Sequence, residues 1–108
     1  ILGGSIANNR FEVGVPGGGE GINSWPANEA PEFAIDGVGQ KYLNFAEFNS
    51  GILVTPSGGL SVATSLTLWS ANDAIPRDPA SYELYGTTSD MSGPGPFDLD
   101  QFTLIESI

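Results

Sequence analysis

The side chains that could do chemistry in this chain are carboxylates, because the sequence contains neither histidine nor cysteine. Ser-His-Asp and Cys-His arrangements for nucleophilic catalysis are therefore excluded within it, as is an ordinary zinc site. Without cysteine, no disulfide can brace the fold in any redox compartment. What remains is acid and base chemistry by paired carboxyl groups, or the binding of a cation that prefers oxygen ligands.

Two pairs of aspartates could in principle serve glycoside cleavage, which needs two carboxyl groups about 5 to 9 Å apart across a sugar. They are Asp98 with Asp100, and Asp73 with Asp78. Both pairs lie in polar or Gly/Pro-rich stretches, where aspartate is an expected turn residue. We therefore expect these residues to build loops, and we predict that the protein is not an enzyme.

A cluster of planar polar side chains suggests sugar binding as another kind of chemistry. The cluster contains Asn72, Asp73 and Arg77. Carbohydrate binding would also need an exposed aromatic ring, which Trp25, Trp69 or Tyr85 could supply. We expect Trp25, because it lies in a long loop whereas Trp69 ends a stretch predicted to face the core. The alternative is that an internal ion pair between the arginine and an aspartate simply holds the loop together.

The charge balance restricts the partners. Thirteen acidic residues against three basic ones give a formal net charge of -10. Nucleic acid and anionic membrane surfaces are therefore disfavoured, whereas divalent cations would be attracted. The apolar runs are too short to cross a bilayer, so no membrane insertion is expected. The same charge would also suit the solvated surface of an exported protein.

The elements that must position these residues are predicted to be short strands. Fifteen glycines and eight prolines imply frequent turns, and 40% apolar content implies one modest core. From Leu60 to Trp69, apolar residues alternate with serine, alanine and threonine, which is typical of a central strand of a sandwich. Further strands are predicted at residues 41–45, 51–55, 81–85 and 102–105, with a turn at residues 56–59.

The N-terminal part of the chain has an alternation of its own. Phe11, Val13 and Val15 are separated by glutamate and glycine, which predicts a strand with one wet face. The Gly/Pro-rich stretch that follows is either a long ordered loop or a flexible tether. We divide the chain into an arm, residues 1–15, and a domain, residues 16–108.

Three strings in the domain resemble one family: IDGVGQKYLNF, SGILVTPSGG and ANDAIPRDPASYELYG. They look like the discoidin-type, galactose-binding-like β-sandwich domains of exported bacterial proteins, including proteins that carry a PEP-CTERM sorting tail. The resemblance covers roughly residues 27 to 105. It implies an all-β, antiparallel sandwich of jelly-roll type in an extracellular or cell-surface protein.

The resemblance also implies a calcium ion at the loop that contains Asp36. In that family an Asp-Gly loop at this place supplies a side-chain oxygen, here from Asp36, and backbone carbonyls, here near Glu32 and Lys41. The family takes a further carboxylate from near the end of the domain, and Glu106 lies too early to match it. An ordinary Asp-Gly turn is the alternative.

Members of this family usually continue with closing strands beyond the position of residues 102–105, whereas this sequence stops at Ile108. Three explanations for the missing strands are open. The sequence is an excerpt of a longer protein, the fold closes early, or a second copy supplies the missing strand. In the third case the arm with Phe11, Val13 and Val15 would be donated to a neighbouring copy, and head-to-tail repetition would give a filament. The expected function is a non-catalytic, extracellular structural subunit whose partners are copies of itself. The alternative is a calcium-dependent carbohydrate-binding module, with glycans as partners.

Overall fold

The computed structural model describes residues 5–10, 25–45, 49–91 and 97–108. Within these ranges the regular structure is mostly β and antiparallel, as the sequence predicts. The strands are β1 (Ser5–Arg10), β2 (Ser50–Thr55), β3 (Glu83–Gly86) and β4 (Thr103–Ser107), and the short 3₁₀ helices are Pro31–Ala34, Ile75–Arg77 and Leu99–Gln101. In this described part of the chain, no helix has the length and hydropathy needed to cross a bilayer.

The strands form two antiparallel ribbons of two strands each. In the first ribbon β1 pairs with β2, so that Ser5 lies opposite Thr55 and Arg10 lies opposite Ser50. In the second ribbon β3 pairs with β4, and the register shifts between Leu84 and Tyr85. The sequence did not predict β1, because SIANNR has no apolar alternation; its pairing with β2 decides its conformation.

The predicted strand at residues 51–55 and the turn after it are confirmed. β2 carries consecutive apolar residues that are half-buried, and it ends at Thr55 because the next residue, Pro56, cannot donate to a ladder. The N–H of Gly59 then donates to the carbonyl of Pro56 at 3.2 Å. Gly59 has a φ of 82°, a backbone conformation that favours glycine because it has no Cβ.

The strands predicted at residues 81–85 and 102–105 are confirmed as β3 and β4, displaced by one or two residues. A capped 3₁₀ turn leads into β4: Asp98 accepts from the backbone N–H of Asp100 at 2.9 Å, and the Gln101 side chain accepts from that of Asp98 at 2.8 Å. Beyond the strand ends, the backbones of Tyr82 and Ile108 exchange two hydrogen bonds of 3.0 Å. The sequence pattern therefore located this ribbon correctly.

The strand predicted at residues 41–45 is wrong. This stretch has no ladder partner among the described residues, and its backbone bonds the preceding loop instead, where the N–H of Leu43 donates to the carbonyl of Glu29 at 3.1 Å. Tyr42 is half-buried there, and burial raises the pKa of its hydroxyl. The core is small: in the described ranges Phe97, 7% exposed, and Pro31 are the buried apolar side chains.

The prediction that Leu60–Trp69 is a core strand is also wrong. Within the described ranges the segment takes part in neither ribbon, and every one of its residues is exposed. Val62 and Trp69 each keep 88% of their surface accessible. An alternating pattern determines which side chains share a face, but it does not provide a neighbouring strand. Here the strands that could have served as partners pair with one another.

Candidate functional site

The exposed segment Leu60–Trp69, called here the open segment, is the most unusual surface in the described structure. Leu60, Val62, Leu66, Leu68 and Trp69 are all exposed on it. No backbone–backbone hydrogen bond joins it to another described residue, although the Ser61 hydroxyl donates to the carbonyl of Gly59 at 3.0 Å. Within the described ranges its amide and carbonyl groups thus have no backbone partner, as at an unpaired strand edge.

The open segment is also free of charge. No acidic or basic residue occurs between Phe48 and Asn72, in a chain whose net charge is -10. Exposed strands in soluble proteins usually carry charged residues or proline that discourage pairing with other chains. The open segment has neither, so its composition favours contact with an uncharged, apolar stretch of another chain.

Both ends of the open segment adjoin structured features. Before it lies the turn that Gly59 closes onto Pro56. After it lies Asp73, whose carboxylate accepts a hydrogen bond of 2.8 Å from Lys41 Nζ. The same ammonium group lies 3.5 Å from Glu29 Oε1. Lys41 thus connects the loop after the open segment to the region that precedes β2.

This ion pair changes the pKa of both partners. The hydrogen bond from Lys41 is the main cause that lowers the pKa of the Asp73 carboxyl, and the charges of Lys41 and Arg77 lower it further. The hydrogen bond to Asp73 likewise raises the pKa of Lys41. Local sequence patterns do not indicate this contact, because its partners are 32 residues apart.

The residues predicted to bind sugar lie on the surface, and the ring among them, Trp25, is less exposed than Trp69. Asn72, Asp73 and Arg77 are exposed, and Arg77 ends the 3₁₀ helix that begins at Ile75. The ion-pair partner shown for Asp73 is Lys41 rather than an arginine. Trp25 is 39% exposed, whereas Trp69 is 88% exposed because the open segment is not in the core.

The loop with Asp36 forms a local hydrogen-bonded turn. Its Oδ1 accepts from the N–H of Val38 at 2.7 Å, and its Oδ2 accepts from the Gln40 side chain at 3.3 Å. The carbonyl of Glu32 accepts from the N–H of Ile35 at 3.2 Å. These contacts are those of an Asp-centred turn.

A calcium ion would need more than this turn provides. Within the described ranges no group of three or more Asp or Glu side chains could hold a metal ion. The calcium site formed by Asp36 with the carbonyls of Glu32 and Lys41 stays a prediction.

The aspartates considered for glycoside cleavage have structural contacts. Asp98 caps the 3₁₀ helix before β4, and Asp73 binds Lys41. The backbone N–H of Asp78 closes the 3₁₀ helix Ile75–Arg77 by donating to the carbonyl of Ile75 at 3.0 Å. These contacts give each of the three a place in loop structure.

The residues predicted to mediate assembly, Phe11, Val13 and Val15, lie outside the described residues. The strand shown in the predicted arm is β1, and it pairs with β2 of its own chain. Donation of the arm to a neighbouring copy, and the division of the chain at residue 15, stay predictions.

Comparison of the chain with models of protein families, with curated proteins and with solved structures finds no match. The resemblance to galactose-binding-like domains therefore remains an expectation from the three sequence strings.

Proposed function

We propose that the protein is a non-catalytic structural subunit, exported from a bacterial cell, that assembles into a filament or matrix by pairing β-strands between copies. The observation that carries this proposal is the open segment, an uncharged stretch whose apolar side chains are exposed and whose backbone forms no backbone–backbone hydrogen bond with another described residue. Monomeric soluble proteins rarely expose contiguous apolar surface of this kind, and such surface commonly marks a site of contact with another protein.

The architecture is compatible with this function. We propose that the two ribbons belong to opposing sheets of a β-sandwich of jelly-roll, galactose-binding-like type, in which the open segment occupies the position of a strand without a neighbour. The resemblance of the three sequence strings supports this arrangement. In donor-strand assembly, an extended segment of one copy adds a strand to an exposed sheet edge of another.

Assembly through the open segment is tested by one substitution made at two exposed valines. Val62→Asp places a carboxylate within the open segment, whereas Val38→Asp places one on another surface that is 63% exposed. Both side chains are exposed, so we expect both variants to keep the circular dichroism of the natural protein. Light scattering and negative-stain microscopy should show that Val62→Asp loses assembly and Val38→Asp retains it. Equal assembly by both variants, or a natural protein that stays monomeric at high concentration, would contradict the proposal.

A calcium-dependent carbohydrate-binding module is the second candidate, and the exposure of Trp69 favours it. An accessible indole a few residues from Asn72, Asp73 and Arg77 combines an apolar platform with planar polar groups. Titration with soluble glycans should then change tryptophan fluorescence in the natural protein and in Trp25→Ala, but not in Trp69→Ala. A fluorescence change that survives in Trp69→Ala would contradict this placement.

A further inference from the structure

We infer that the open segment pairs with the open segment of a second copy, antiparallel and about a two-fold axis at Thr64. This inference rests on the proposed function and adds to it the partner strand, its direction and its register. It concerns the contact between two copies and requires no donated arm.

Charge identifies a second copy as the partner. Two chains that each carry -10 repel one another over most approaches. Contact between their uncharged stretches, Phe48 to Asn72, brings no like charges into direct opposition. Charges farther away are screened, because the Debye length at physiological ionic strength is about 8 Å. A basic partner, in contrast, would find no carboxylate to bind on this stretch.

The sequence of the open segment fits itself in one register. In an antiparallel pair, residues directly opposite one another lie on the same face. Pairing about Thr64 therefore sets large apolar residues opposite large apolar residues, and small residues opposite small ones. The opposed pairs are Leu60 with Leu68 and Val62 with Leu66 on one face, Ser61 with Thr67 and Ala63 with Ser65 on the other, and Thr64 with itself.

Other registers oppose unlike residues. Sliding one copy by one residue along the other places the axis between two residues, and this sets the apolar face of one copy against the polar face of the other. Moving the axis to Val62 would set Pro56, which has no N–H to donate, opposite Leu68. Moving it to Leu66 would set Leu60 opposite Asn72. The axis at Thr64 is the only one that opposes Leu60, Val62, Leu66 and Leu68 solely with one another, and it sets Trp69 opposite Gly59.

This contact would be one of at least two in a larger assembly. A two-fold contact between identical surfaces closes as a dimer. Two strands alone are marginally stable in water, and the paired ribbon still exposes one apolar face. We therefore expect paired copies to associate further, through that face or through the predicted arm, when they build a filament or matrix.

Cysteine cross-linking of the full chain tests the register, because the natural sequence has no cysteine to interfere. At the two-fold axis the two Cα atoms of residue 64 would be about 4.5 to 5.5 Å apart, within the range that a disulfide bridges. Thr64→Cys should form a covalent dimer as its major product under mild oxidation, read on a non-reducing gel. Val62→Cys and Leu66→Cys should each cross-link poorly alone but efficiently when mixed, since those positions oppose each other.

Ser57→Cys, in the exposed turn before the open segment, serves as the control for random collisions. Dimer formation by Thr64→Cys no greater than by this control overturns the inferred contact. Strong cross-linking of Val62→Cys or Leu66→Cys with itself overturns the register. If the natural protein assembles while Thr64→Cys fails to cross-link, the further inference fails and the proposed function stands. If the natural protein is monomeric at all concentrations, both fail.

Discussion

At the residue scale, Lys41 links parts of the chain that lie far apart in sequence. Its ammonium group contacts Glu29 and Asp73, which come from the regions before β2 and after the open segment. The contact lies on an exposed surface, where single ion pairs contribute little to stability. Its measurable consequence is therefore the pH dependence of stability, set by the lowered pKa of Asp73.

We expect Asp73→Asn to lower the melting temperature at neutral pH and to have no effect in strong acid. The pKa of Asp73 is lower in the folded chain than in the unfolded chain, so its contribution is present above the unfolded pKa, about 3.9, and is lost as pH falls through the folded pKa. Glu106→Gln, which neutralises an exposed carboxylate on β4, is the control. Melting curves between pH 2 and 7 measure this. A constant difference between Asp73→Asn and the natural protein over that range would contradict the assignment.

Asp36 is a second position where one residue separates two interpretations. The turn requires an oxygen that accepts from the N–H of Val38, and Asp36→Asn keeps that oxygen while Asp36→Ala removes it. If the residue builds only a turn, the melting temperature of Asp36→Asn should be close to that of the natural protein. Asp36→Ala should melt at a lower temperature, because its free energy of unfolding falls by about 1 kcal/mol.

If Asp36 binds calcium, the response to a chelator distinguishes both variants from the natural protein. A ligand bound by the folded state alone stabilises that state, so chelation should lower the melting temperature of the natural protein. Both Asp36→Asn and Asp36→Ala should then lose most of this response. A natural protein whose melting curve is the same with and without chelator does not bind calcium at this loop.

At the scale of elements, the second ribbon depends on a close approach between its strands. A Cβ placed on Gly86 of β3 would lie 3.0 Å from Cδ1 of Ile105 on β4. Gly86→Ala should therefore destabilise the fold by less than about 1 kcal/mol, because the isoleucine side chain is 56% exposed and can move aside. Ile105→Val removes the Cδ1 atom, so the double variant should lose less stability than the sum of the two single variants. Additive effects in denaturant titrations would contradict the contact.

The elements that sequence predicted are those whose signals are local. β2, its turn and the β3–β4 ribbon follow from apolar runs bounded by proline, glycine and aspartate. β1 was missed because pairing with β2 determines it, and the open segment was misplaced because alternation cannot show whether a partner strand exists. For that same reason the sequence did not indicate that Trp69 is more exposed than Trp25, and the bond between Lys41 and Asp73 depends on long-range folding.

At the scale of the whole molecule, a strongly acidic chain carries one long uncharged stretch, and these two properties act against each other. Net repulsion between copies opposes assembly, while the open segment favours it. We expect assembly to increase with ionic strength, because salt screens the repulsion and leaves apolar contact intact. It should also increase as pH falls from 7 towards the isoelectric point near 4.1, where the net charge approaches zero.

Light scattering across a salt series, with sodium, magnesium and calcium chloride at matched ionic strength, measures this balance. Screening alone predicts that magnesium and calcium act alike, whereas a specific calcium site predicts an excess effect of calcium that Asp36→Ala removes. Val62→Asp should remain dispersed at ionic strengths where Val38→Asp assembles, because only the first change places a charge within the contact. Assembly that weakens as salt is added would show that charged groups hold the copies together, and it would contradict an interface built on the open segment.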